Sequence, residues 1–87
     1  MTDEHKFLTL EIAAGLARRL RTTRHAAGLS VDKLVELSGV SRAQIIRWER
    51  GEGGGAGLAL VAALAKGLGV AAAWLAYGAD PEKPNRS

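Results

Sequence analysis

Leu29 to Gly51 reads L-S-V-D-K-L-V-E-L-S-G-V-S-R-A-Q-I-I-R-W-E-R-G, two short helical patterns separated by one corner. The Ser30 hydroxyl is placed to cap the first helix, and Asp32 in its opening turn complements the exposed N–H groups and the dipole there. Leu34, Val35 and Leu37 are its apolar residues, and Gly39 closes it. Ser41 and Gln44 form an S-x-x-Q capping box directly behind Gly39-Val40. So little chain between a stop and a new cap makes the second helix leave at a sharp angle. That helix covers Arg42 to Arg50. At about 100° per residue, Ile45, Trp48 and Glu49 share one side, and Ala43, Ile46, Arg47 and Arg50 share the other.

Before this stretch, a long helix is expected from Asp3 or Lys6 to Ala27, with Leu8, Ile12, Leu16 and Leu20 spaced i+4 along one face. Arg18 and Arg21 point away from that stripe. Arg24 lies about 40° round from Leu20, at its edge. Gly28 stops the helix. On the other side, Gly51 to Gly57 holds five glycines in seven residues and reads as a loop. A fourth helix follows from Leu58 to Gly67, a fifth from Ala71 to Tyr77, and Gly78 ends it. Residues 79–87, with Pro81 and Pro84, read as a disordered tail. No segment alternates with the period of a half-buried strand. The fold class is therefore all-α with five helices, in a single domain over residues 1–78.

A chain of 87 residues is one domain's worth, and without cysteine it has no disulfide to supplement its core. A cytoplasmic, reducing setting suits it. Aromatic residues are only 5%, namely Phe7, Trp48, Trp74 and Tyr77, so large core anchors are few. The net charge of +3 is unevenly spread: Ile12 to Arg50 carries eight basic residues against three acids. An arginine-rich half fits a polyanionic partner or, more plainly, a solvated helix face.

Several function classes fall away. Gly53 to Ala79 is long enough for a membrane span, but alanine and glycine contribute little insertion energy and Lys66 costs about 2.5–3.5 kcal/mol near the centre. The glycine cluster follows no strand and carries no G-K-S/T, so it is a linker rather than a phosphate loop. His5 and His25 stand alone, which leaves no metal site and no cofactor to expect. Ser30, Ser38 and Ser41 have no His/Asp constellation, and two of them are helix caps. No catalytic arrangement remains, and the chain is not expected to be an enzyme.

Taken together, a glycine where the corner needs positive φ, Val40 plugging that corner and a capped second helix with one apolar face are the constraints of a helix-turn-helix. The chain resembles the phage-repressor, Cro-like or XRE-type DNA-binding domains. The resemblance rests on Leu29-Ser30, Leu34-Val35, Gly39-Val40-Ser41, Ile45, Trp48-Glu49-Arg50-Gly51, Leu64-Ala65, Leu68-Gly69-Val70 and Trp74-Leu75. It implies a compact five-helix lambda-repressor-like domain whose recognition helix, Arg42 to Arg50, lies in the major groove of operator DNA. Arg42, Ala43, Gln44 and Arg47 fall where relatives contact bases: arginine suits guanine, glutamine suits adenine, and the alanine methyl meets thymine. Ile46 joins them as a thymine-methyl contact. Ser30, Ser41 and Arg50 are assigned to phosphate, and Arg24 is expected to pair with Glu49.

Three departures qualify the transfer. Val31 stands where many relatives carry a phosphate-binding glutamine. Val35 replaces a usual alanine at a tight crossing, and the loop after Gly51 is less basic than in relatives. The expected function is that of a transcriptional repressor or autoregulator, standing alone like a small controller protein. It is expected to bind an inverted repeat as a homodimer through Trp74, Leu75 and Tyr77. The alternative is an antitoxin-type module that binds a toxin partner first and DNA second.

Overall fold

The computed structural model describes residues 2–52 and 57–78, with side chains from Ala13 onward. The expectations for Leu8, Ile12, the glycines at 53–55 and the tail from Ala79 lie outside these. Five helices follow in order: α1 Thr2–Ala26, α2 Val31–Ser38, α3 Arg42–Glu49, α4 Leu58–Leu68 and α5 Ala72–Tyr77. Among the described residues none is long and apolar enough to cross a membrane.

The corner is built by local backbone chemistry. Ser30 is extended (φ −78°, ψ 167°), and its hydroxyl accepts from the Lys33 N–H at 3.0 Å. Gly39 takes φ +77°, and its N–H donates to the Val35 carbonyl at 2.8 Å, ending α2. A side chain there would meet the left-handed penalty of about 1–2 kcal/mol. Two residues later the Ser41 hydroxyl accepts from the Gln44 N–H at 3.2 Å and starts α3. The reciprocal half of the capping box differs from expectation. The Gln44 side-chain oxygen accepts from the Ser41 hydroxyl at 3.3 Å rather than the glutamine reaching the Ser41 backbone.

One side chain from each helix meets at the centre: Leu20, Leu34, Ile45, Leu64 and Leu75, with Val40 entering from the corner, are the largest fully buried groups. Each contributes about 1.5–3 kcal/mol by leaving water. Leu16, Trp48, Val61, Ala65 and Ala76 complete the cluster, and Trp74 packs against it half-buried. α1 braces α3 and α5, while α2 lies along α4. None of the buried side-chain polar atoms of the described residues lacks a hydrogen-bond partner.

Two expectations are corrected here. Leu37, grouped above with Leu34 and Val35 as the apolar residues of α2, does not share their burial and is 49% exposed. The buried side of α2 runs through Val31, Leu34, Val35 and Ser38, and Leu37 lies about 160° round from Val35. Ser38 occupies the inner position instead; its hydroxyl donates to the Leu34 carbonyl at 2.7 Å and accepts from the Val40 N–H at 3.1 Å, tying α2 to the corner. The second correction is Leu75, which is wholly enclosed by its own chain and so offers nothing to a partner.

The α2–α4 crossing depends on Gly67. A Cβ there would lie 3.2 Å from the Ser38 Cβ and 3.3 Å from both the Leu37 carbonyl carbon and the Ser38 nitrogen. In an open helix, alanine would be favoured over glycine by about 0.8–1.0 kcal/mol. Here backbone blocks the methyl, and overpacking costs about 1–3 kcal/mol. Gly67→Ala is therefore expected to lower the urea midpoint; a raised midpoint would mean that the two helices separate freely.

Candidate nucleic-acid interface

α3 buries Ile45 and Trp48 and turns a chemically mixed face outward. Arg42, Ala43, Arg47 and Arg50 are exposed, while Gln44 and Ile46 are half-buried. Ser30 and Ser41 are exposed at the starts of α2 and α3, each holding the first turn of its helix. The face offers guanidinium forks for paired acceptors, methyl groups for apolar edges and one amide whose oxygen is already engaged. Arg42 is not loose: its Nη1 donates to Asp32 Oδ1 at 2.7 Å across the corner.

The far end of α3 is held from α1. Arg24 and Glu49 form a two-pronged pair, Nε to Oε2 at 2.7 Å and Nη2 to Oε1 at 2.9 Å, with side chains only 12% and 11% exposed. Arg24 Nη1 also donates to the Leu29 carbonyl at 2.9 Å, so one guanidinium joins α1, α3 and the chain entering α2. Its pKa is raised above the ordinary arginine value, chiefly by the Glu49 hydrogen bond, which outweighs burial. Beside it, Arg21 Nη1 donates to the Glu49 backbone carbonyl at 2.7 Å. A cation on the last carbonyls of a helix satisfies orphaned acceptors and complements the dipole. With Ser41 at one end and two arginines at the other, α3 is presented as a fixed rod.

These contacts change the meaning of the basic stretch. Arg19 donates from Nε to the Leu75 carbonyl at 2.9 Å and from Nη2 to the Ala76 carbonyl at 2.8 Å, which pins α5 to α1. Burial, and after it the Arg18 charge, lowers its pKa from the ordinary value. Of the four arginines in the second half of α1, Arg19, Arg21 and Arg24 hold other helices. Charge counting alone assigns them to a partner or to solvent. The signal for their structural use is the demand of short helices for donors at their C-terminal carbonyls.

The family model of a helix-turn-helix domain matches residues 15–77. The chain belongs to the helix-turn-helix domain family. The match starts within α1 and ends on the last residue of α5, so it takes in the second half of α1 and all of α2 to α5. No curated protein and no solved structure matches the chain. Within the helix-turn-helix domain, α2 and α3 are the motif pair, and the corner at Gly39-Val40 is its turn. Membership places the chain among DNA-binding regulators. The aromatic residues of α5 divide: Trp74 packs on the core and Tyr77 is 61% exposed.

Proposed function

We propose that this helix-turn-helix protein is a sequence-specific repressor or autoregulator that binds an inverted-repeat operator as a homodimer. The observation that carries the reading is the outward face of α3, rigidly held at both ends and bearing Arg42, Ala43 and Arg47. In the major groove, Arg42 and Arg47 would take guanine O6 and N7, Gln44 adenine, and Ala43 and Ile46 thymine methyls. Ser30, Ser41 and Arg50 would hold phosphate and set the register. The exposed Tyr77 ring, with Trp74 one turn before it, supplies the apolar surface for two-fold pairing. Such pairing places two recognition helices about 34–36 Å apart, so half-sites should lie about 10 base pairs centre to centre.

Selection from a pool of random duplexes tests the reading. An inverted repeat of that spacing is expected to be enriched. Sedimentation of the free protein should show a dimer, and Tyr77→Glu should give a monomer that protects a single half-site. A monomer that is indifferent to Tyr77→Glu and selects a site without two-fold symmetry would overturn the dimer.

A further inference from the structure

Asp32 lies in the first turn of α2 and Arg42 opens α3, and the corner brings the two side chains together at 2.7 Å while both stay largely in solvent, 79% and 60% exposed. An ion pair this open contributes little to stability. It also carries a cost in function. A carboxylate on the side of the protein that approaches phosphates opposes the counterion-driven part of DNA binding. The contact uses only Arg42 Nη1, which leaves the Nε–Nη2 edge of the fork directed elsewhere, with two parallel donors. That edge matches the paired acceptors O6 and N7 of one guanine.

We infer that Asp32 is a positioning residue for base readout: it holds the Arg42 guanidinium with one edge free for guanine and keeps it from reaching for phosphate. An untethered arginine beside a duplex finds a phosphate on any sequence, a contact without base information. Tethering removes part of the side chain's rotamer freedom before binding, so less is lost when the guanine contact forms. Asp32 thus exchanges general affinity for preference at the single base pair that Arg42 meets. Arg47, exposed on α3 and outside this pair, is the internal control. The inference rests on the DNA-binding reading above and extends it.

The test uses the full chain and the site that the wild type enriches from random duplexes. Affinities are measured for each base at each position and across a salt series, for wild type, Asp32→Asn, Asp32→Glu, Arg42→Ala, Arg47→Ala and the Asp32→Asn/Arg42→Ala double variant. Asp32→Asn is expected to bind random duplex more tightly with a salt slope steeper by about one. It should lose about tenfold in discrimination at the one base pair sensitive to Arg42→Ala, within the range that a bidentate contact supplies. Positions sensitive to Arg47→Ala should keep theirs. Asp32→Glu should restore preference, and adding Asp32→Asn to Arg42→Ala should change discrimination no further. Unchanged discrimination at the Arg42 base pair, or an equal loss at every position, overturns the role of Asp32 while leaving DNA recognition standing. A wild type that enriches no sequence overturns both.

Discussion

Arg24→Met should lower the free energy of unfolding by about 3–5 kcal/mol, because it strands the Glu49 carboxylate in a nearly closed site. For a small domain holding about 5–15 kcal/mol in all, that is a large fraction of its stability. The loss has two parts: Glu49 keeps its charge without its two donors, and the Leu29 carbonyl loses the Arg24 Nη1–H that it accepts. Glu49→Leu should be costly for the mirror reason, leaving the Arg24 guanidinium with the Leu29 carbonyl but without a counter-charge. The double variant, with both charges gone, should be more stable than either single variant. Urea unfolding followed by tryptophan fluorescence, from Trp48 and Trp74 together, measures all three. Small additive losses would mean that water reaches both groups, and the clamp between α1 and α3 would then be unimportant.

The contrast between that pair and the rest of the arginine set shows what a sequence can reveal. Ser30, Gly39 and Ser41 were legible because caps and left-handed turns are local, set by residue type within four positions. Ile45 and Trp48 were legible from periodicity, since one face of a short amphipathic helix must be inside. Arg24 showed itself as a charge at the edge of an apolar stripe, which requires a partner. Arg19 gave no such sign, because it meets carbonyls 56 and 57 residues away that any sequence would supply. Arg21 is hidden in the same way, 28 residues from its carbonyl. Leu37 lies only about 60° from Leu34, so periodicity admits it to the core. The close approach of α4 at Gly67 settles on Ser38 instead and leaves Leu37 outside. At α5 the aromatic residues drew attention outward, although a six-residue helix has one inner face and Leu75 fills it. Asp32 and Arg42, ten positions apart, meet only through the corner's angle, which no residue pattern specifies.

On the selected operator, Arg42→Ala and Arg47→Ala should each cost about 1–3 kcal/mol and relax base preference at different base pairs. Both side chains stand out from a helix whose packing depends on Ile45 and Trp48, so truncating them leaves the core intact. The fold should melt as the wild type does, which separates this loss from that of Arg24→Met. Arg50→Ala should instead weaken cognate and random duplexes about equally and reduce the salt slope by about one, since a phosphate contact carries no base information. If the two base contacts act independently, the double variant Arg42→Ala/Arg47→Ala should lose about 2–6 kcal/mol. Specific sites are typically bound about 4–10 kcal/mol more tightly than random DNA, so such a loss would remove most of the discrimination. Gel-shift titrations on matched and singly mismatched duplexes, at two salt concentrations, resolve the three variants. Equal specificity in wild type and double variant would take base readout away from the two arginines and leave it to Ala43, Gln44 and Ile46 of the same helix.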